Sequence, residues 1–187
     1  GEGSRPWNEN DKPAPLNAYG RTKLEGERLV AAAGGKYLLI RACWIYDESG
    51  KNFLKTMLKL GMEQESLSIV DDQYGAPTYA PQFAKATLDA LQSAAAQPNF
   101  PAGIYHLCHS GETTWNRFAA EIFAIARERG FPIKVKELKK EAPRRAATRP
   151  HNSRLNTAKI ADVLGIRLPS WQNGLSECMS HLSWPNR

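Results

Sequence analysis

Tyr19 and Lys23 are the residues whose types and spacing most directly suggest chemistry. They stand four positions apart in the segment Tyr19-Gly20-Arg21-Thr22-Lys23, which we predict to be helical. Residues i and i+4 of a helix project from the same face, so the phenol and the ammonium would lie side by side. An ammonium near a phenol favours the phenolate, which suits such a pair for exchanging a proton with an alcohol or carbonyl oxygen. On spacing alone, a solvated helix face remains the simpler interpretation.

The elements that must position this pair alternate between helices and strands. Residues 16–33 predict a helix that ends at Gly34-Gly35, and residues 37–46 follow as a strand. The continuous apolar run from Leu38 to Ile40 is typical of a strand buried on both faces of a parallel sheet. After a loop over 1–15, the pattern predicts further helices over 52–64, 81–96, 113–129, 156–164 and 171–182, strands over 67–70, 103–108 and 133–138, and a turn over 71–77. This order predicts an α/β fold.

The composition excludes several classes of protein. No apolar run approaches the roughly 20 residues that a membrane span needs, and three widely spaced cysteines favour a reducing cytoplasm over a disulfide framework. His106 and His109 lack matching ligands nearby, so we predict no metal site. The net charge of +6 includes a basic stretch from Lys134 to Arg154, but no nucleic-acid-binding motif accompanies it. A basic nucleic-acid-binding module is therefore the least favoured alternative.

Further motifs surround the Tyr19–Lys23 pair and follow it along the chain. They are Pro15 to Glu27, Arg41 to Tyr46, Val70 to Tyr79, Gly103 to Leu107 and Arg149 to Leu155. Together they resemble the dTDP-4-dehydrorhamnose reductase family, an extended branch of the short-chain dehydrogenases/reductases, over most of the chain. The resemblance implies reduction of the 4-keto group of dTDP-4-dehydro-L-rhamnose, with NADPH or NADH as cofactor. An epimerase, a dehydratase or a non-catalytic regulatory subunit of the same superfamily is the alternative.

The resemblance also implies roles for individual residues. Tyr19 would protonate the carbonyl oxygen, Lys23 would hold the nicotinamide ribose, and Ala42 and Cys43 would lie near the nicotinamide. Cys43 stands where the family often has serine. The implied substrate-binding residues are Trp44, Asn52, Gln73, Gly75, Pro77, Thr78 and Arg154. Among these, Trp44 would form an apolar wall against the deoxysugar, and Arg154, together with its basic neighbours, would meet the diphosphate.

The fold that the resemblance implies is the C-terminal part of a Rossmann-like parallel sheet with a smaller α/β substrate-binding lobe. Residues 1–45 and 79–98 would belong to the Rossmann part, and residues 46–78 and 99–187 to the lobe. No G-x-x-G-x-x-G turn occurs in the sequence. We therefore expect an inactive fragment that lacks the N-terminal dinucleotide-binding half. Such a fragment would expose apolar surface and an open sheet edge, which a homo-oligomer could cover.

Overall fold

Helices and short strands alternate along the computed structural model, which describes residues 2–140 and 149–182. The helices are α1 (Ala18–Ala33), α2 (Phe53–Glu63), α3 (Ala80–Ala95), α4 (Trp115–Glu128), α5 (Ala158–Leu164) and α6 (Trp171–His181). The strands are β1 (Leu38–Arg41), β2 (Ile45–Tyr46), β3 (Ser66–Ser68), β4 (Tyr74–Gly75), β5 (Thr78–Tyr79), β6 (Gly103–His106), β7 (Thr113–Thr114) and β8 (Glu137–Lys139). The predicted α/β class is confirmed.

The strands associate in pairs. Three pairs are parallel, β1 with β6, β2 with β5 and β3 with β8, whereas β4 and β7 are antiparallel. In the longest pair, Leu38 lies opposite Gly103 and Arg41 opposite His106. Within the described ranges β1 has β6 as its one strand partner, so its other edge is open, as expected.

The structure corrects the predicted strand over 133–138. Only residues 137–139 pair, as β8, because the preceding segment bonds to a helix instead. The amide groups of Lys134 and Val135 both donate to the Gly61 carbonyl near the end of α2, at 2.7 and 3.2 Å. Val135 is also buried in the core, so this stretch covers the helix end rather than extending the strand.

Two large apolar cores organise the chain, and a small third cluster holds Cys43, Ala76 and Cys108. The larger core lies between α2, α4 and α6 and includes Leu54, Phe118 and Leu175, each fully buried. Gly61 of α2 has no room for a side chain, since the Phe123 ring of α4 packs directly on it. The smaller core joins β1 and β6 to α3 and α5. In the predicted division, β6 and α5 fall within the lobe range, but they pack here with β1 and α3.

Helix α1 stands apart from both cores. None of its residues is buried, and Leu29 and Val30 expose 65% and 42% of their surface. Leu88 and Leu91 of α3 are also half exposed. The helix carrying the predicted catalytic pair therefore presents apolar side chains to solvent, in agreement with the expected exposure of apolar surface.

Candidate active site

An open cavity of about 620 Å³ lies beside the N-terminus of α1, and we call it the Tyr19 cavity. Three predicted site residues, Tyr19, Trp44 and Gln73, line it together. The other residues along its wall are Asn17, Ala18, Trp115, Arg149, Pro150 and Ser153. A tyrosine hydroxyl, two indoles and a guanidinium thus share one volume large enough for a small-molecule ligand.

The start of α1 fixes where Tyr19 stands. Asn17 caps the helix, its side-chain oxygen accepting a hydrogen bond from the Gly20 amide at 2.9 Å. Gly20 also lets Pro15 approach, because a Cβ at this position would lie 2.9 Å from the Pro15 Cβ. The chain therefore turns tightly into the helix, and Tyr19 is left 71% exposed at the cavity edge.

Lys23 lies on the same face of α1 as Tyr19, as the spacing predicts. Its Nζ atom is 5.4 Å from the centre of the Tyr19 ring, which permits a cation–π contact. Lys23 does not line the Tyr19 cavity but a neighbouring cleft of about 220 Å³, with Pro13, Glu27 and Arg41. The ammonium has no ion-pair partner in residues 2–140 and 149–182.

A nicotinamide ribose fits these surroundings, because a free ammonium can donate to its hydroxyls beside the tyrosine. The described residues offer no comparable site for the pyrophosphate of a dinucleotide. Among the described residues no strand leads through a glycine-rich turn into a helix, which is the usual cradle for that group. Residues 2–140 and 149–182 thus fit the nicotinamide end of the cofactor and not its pyrophosphate.

Trp44 has the most constrained geometry in the cavity. Its backbone φ is +49°, in the left-handed region that a bulky residue rarely adopts, and its carbonyl accepts a hydrogen bond from the Thr78 amide at 3.0 Å. Its ring stacks on Trp115 with centroids 3.8 Å apart and planes 18° apart. Gly75 lies so close that a Cβ there would be 2.7 Å from Trp44 Cε2. Both neighbours restrain the indole.

The predicted loop 73–78 divides into one cavity residue and a scaffold. Gln73 reaches the cavity, whereas Gly75 packs against Trp44 and Pro77 is buried. Thr78 is fully buried, with its hydroxyl donating to the Ala76 carbonyl at 3.2 Å. Most of this segment therefore supports Trp44 through β4 and β5 instead of facing the cavity.

Ala42 and Cys43, which were predicted to lie near the nicotinamide, do not line the Tyr19 cavity. The Cys43 thiol is buried and donates to the Ala76 carbonyl at 3.2 Å, and neither it nor the half-buried Ala42 lines the Tyr19 cavity. Hydrogen bonding to Cys43, together with burial, raises the pKa of the adjacent Cys108 thiol. Because the Cys43 thiol is buried and bonded to Ala76, any contact of Cys43 with a nicotinamide would involve its backbone.

Asn52 is used as a helix cap. Its side-chain oxygen accepts from the Lys55 amide at 3.1 Å, and its side-chain nitrogen donates to the carbonyls of Asp47 and Ser49 at 2.7 and 3.0 Å. All of these bonds are local, so the amide shapes the turn before α2. A substrate contact by Asn52 stays a prediction.

The two arginines of the 149–154 motif have different surroundings. Arg154 Nε lies 2.8 Å from the Glu112 carboxylate, its Nη1 donates to the Ser4 carbonyl at 2.6 Å, and its guanidinium stacks on Tyr74 at 4.3 Å. It lines a separate cleft of about 310 Å³. Arg149 is exposed and lines the Tyr19 cavity. Arg144 and Arg145 of the basic stretch lie outside the described residues.

Trp115 and Arg149 are the functional candidates that sequence reasoning did not select. Trp115 is the first residue of α4, directly after the Thr114 cap, and a bulky aromatic at the start of a helix was the available signal. Arg149 belongs to a recognised motif, but Arg154 at the other end of it was chosen. Pairing Trp115 with Trp44 requires tertiary structure, since 71 positions separate them in sequence.

His106 and His109 both bond to the backbone through a ring nitrogen. His106 Nδ1 and His109 Nδ1 each lie near a backbone carbonyl, of Trp7 at 3.1 Å and of Pro169 at 3.0 Å. Within the ranges 2–140 and 149–182, no cluster of three or more His, Cys, Asp or Glu side chains is arranged to hold a metal ion. No described helix is long and apolar enough to cross a membrane.

Comparison with known proteins gives consistent matches. A family model described as "RmlD substrate binding domain" matches residues 1–184. The dTDP-4-dehydrorhamnose reductase of Escherichia coli K12 is 44% identical over 186 residues, covering 97% of this chain and 62% of the relative. The chain thus spans about three-fifths of the length of the curated relatives it matches.

Solved structures agree with the sequence match. A dTDP-4-dehydrorhamnose reductase from Clostridium acetobutylicum superposes with a TM-score of 0.83 at 34% identity, covering 96% of this chain and 61% of the other. The corresponding reductase from Bacillus anthracis, solved in complex with NADP, gives 0.82 at 33% identity, covering 95% and 60%.

Proposed function

Because the chain belongs to the RmlD substrate-binding domain family, we propose that it forms the sugar-binding part, with the catalytic helix, of a dTDP-4-dehydrorhamnose reductase. One observation carries the proposal. The Tyr19 cavity brings a tyrosine hydroxyl, with Lys23 one turn along its helix, into one volume with Trp44, Trp115 and Arg149.

Tyr19 is the acid in the proposed reduction. Its hydroxyl stands at the cavity edge, where it can donate to the oxygen of a sugar carbonyl and pass its proton there as that oxygen gains negative charge. The Lys23 ammonium beside the ring stabilises the phenolate that results. The nicotinamide, when bound, supplies the hydride that the carbonyl carbon receives.

The remaining cavity residues suit a deoxysugar nucleotide. A deoxysugar has an apolar methyl-bearing side, and the indoles of Trp44 and Trp115 offer apolar surface to it. The exposed guanidinium of Arg149 is suited to diphosphate oxygens, which its fork can bind with two parallel hydrogen bonds. In this proposal Arg149 takes the diphosphate role first expected of Arg154, whose guanidinium is occupied by Glu112 and Ser4.

The proposed reaction requires a dinucleotide-binding half in addition to residues 1–187. The open edge of β1 and the exposed apolar side chains of α1 and α3 offer the surface on which such a half would pack. NADP in the Bacillus anthracis relative supports NADPH as the cofactor of the complete protein. The 187-residue chain by itself should oxidise little or no NADPH.

The test uses the complete protein that contains this sequence. With dTDP-4-dehydrorhamnose as substrate, we expect NADPH oxidation that depends on the sugar nucleotide, and Tyr19→Phe should reduce the rate by about 10²–10⁴-fold. Tyr37→Phe is the matched control, since Tyr37 precedes β1 and does not line the Tyr19 cavity. An inactive wild-type protein, or an unchanged rate in Tyr19→Phe, would overturn the proposed function.

A further inference from the structure

We propose that Trp115 is a positioning residue for sugar recognition: it holds the Trp44 indole edge-on to the Tyr19 cavity and adds a second apolar wall beside it. This inference rests on the proposed function, because it assigns the same cavity to the sugar. It also changes the role expected of Trp44, which was to lie flat against the sugar as a single wall.

The faces of the Trp44 ring are already covered. A Cβ on Gly75 would lie 2.7, 2.9 and 3.1 Å from Trp44 Cε2, Cζ2 and Cδ2. These similar distances place Gly75 over a ring face, since an approach in the ring plane would leave Cδ2 far more distant than Cε2. Trp115 stacks at 3.8 Å, and two groups cannot occupy the same space over one face. Trp115 therefore covers the opposite face, and the cavity meets the edge of Trp44.

Trp115 can act as a positioning residue because its own place is fixed. It lies between Thr114 and Asn116, which are both buried. Thr114 caps α4 by accepting from the Arg117 amide at 3.2 Å, and its hydroxyl donates to Asp71. The Asn116 amide donates to the Val70 carbonyl at 3.0 Å. The Trp115 ring also contacts Phe53, with centroids 4.5 Å apart.

The conformation of Trp44 depends on the stacked Trp115 ring. A non-glycine residue in the left-handed region persists only where its surroundings hold it, and the Trp44 carbonyl accepts a hydrogen bond from the Thr78 amide. With the Trp115 ring removed, one face of the indole is free and the ring can swing toward the cavity. Sugar binding should then weaken, although no group that contacts the nucleotide has changed.

The experiment compares Trp115→Ala, Trp115→Phe and a control, Trp171→Phe, in the complete protein. Two stacked indoles give an exciton couplet in circular dichroism, which reports the Trp44–Trp115 geometry independently of activity. Titrations with dTDP-L-rhamnose and with dTDP alone then separate the sugar contribution from the nucleotide contribution. Trp171 is buried against Phe118, so its variant tests the loss of a core indole outside the pair.

We expect Trp115→Ala to lose the couplet and to bind dTDP-L-rhamnose about threefold to tenfold more weakly, with dTDP affinity unchanged. Trp115→Phe should also lose the couplet but keep most of the sugar affinity, because a flat ring still covers Trp44. Trp171→Phe should keep both the couplet and the affinity for dTDP-L-rhamnose. Should Trp115→Ala fail to fold, Trp115→Leu fills the volume without a flat ring and is expected to show the same loss.

Two results would overturn the assignment: an unchanged affinity for dTDP-L-rhamnose without the Trp115 ring, or an equal loss of affinity for dTDP and dTDP-L-rhamnose. Failure of the proposed function gives a different result, since the wild-type protein would then bind the sugar nucleotide without oxidising NADPH.

Discussion

Glu27 of α1 accepts two hydrogen bonds from the Arg41 guanidinium at the end of β1, from Nε at 2.8 Å and from Nη2 at 2.5 Å. Both side chains are about four-fifths covered, and the Glu27 hydrogen bonds hold the pKa of Arg41 above its ordinary value. Because α1 buries none of its residues, this pair is a main attachment of the helix that carries Tyr19 and Lys23.

Glu27→Gln should therefore loosen the catalytic helix. Removing the charge while keeping the shape should cost about 1–2 kcal/mol of attachment free energy, since hydrogen bonds to charged groups are stronger than neutral ones. We expect faster amide hydrogen exchange within α1 and a several-fold lower kcat/KM. The control is Glu25→Gln on the same helix, whose exposed pair with Arg28 at 3.4 Å should contribute little. Equal exchange in the two variants would contradict this account.

Gly75→Ala should disturb the site through packing. The new methyl group would meet the Trp44 ring at 2.7 Å, and the restrained indole has little freedom to move away. We expect a loss of about 1–3 kcal/mol in thermal or denaturant unfolding, which is typical of overpacking. Gly26→Ala is the matched change, because nothing lies within 4 Å of a Cβ there and alanine favours a helix. A Gly75→Ala protein as stable as Gly26→Ala would show that the indole yields easily.

The two arginines should separate binding from stability. Arg149→Ala should weaken dTDP binding about tenfold or more, as expected when a charge-assisted phosphate contact is lost, and leave the unfolding midpoint nearly unchanged. Arg154→Ala should lower the unfolding midpoint and leave dTDP affinity nearly unchanged. It leaves Glu112 without its partner and removes the stack on Tyr74. Calorimetric titration and thermal unfolding of both variants test this, and a dTDP affinity lost only in Arg154→Ala would restore the first assignment.

Stability should depend on pH through two buried histidines. Burial lowers the pKa of both His106 and His109 below the ordinary value of 6.5. As the pH falls, the unfolded chain therefore binds these protons at a higher pH than the folded protein does. The contribution of the two neutral histidines to the free energy of unfolding is complete above about pH 6.5. Below that pH it decreases by up to about 1.4 kcal/mol per pH unit for each group. Denaturant unfolding from pH 8 to pH 5 measures this slope. His109→Gln should reduce it, and an unchanged slope would exclude His109 as its source.

Local patterns predicted the longer elements well. The spacing of Tyr19 and Lys23 correctly predicted that they share one face of a helix. Helices α1, α2 and α3 begin within two residues of the predicted positions, because caps and apolar periodicity are local signals. The two-residue strands β4, β5 and β7 were not predicted, since they exist only through pairing with distant segments. Long-range contacts likewise determine which of Arg149 and Arg154 reaches the cavity.

The separate apolar cores predict that one part of the molecule can open while the other stays folded. Trp44 and Trp115 are attached to the larger core through Phe53 and Phe118, whereas α1 is attached to the smaller core through Arg41. Subglobal opening of the smaller core would release Tyr19 and Lys23 and leave the indole stack assembled. Mild heating should therefore produce a state that holds sugar nucleotide without turning it over, detectable as an exciton couplet that outlasts amide protection in α1.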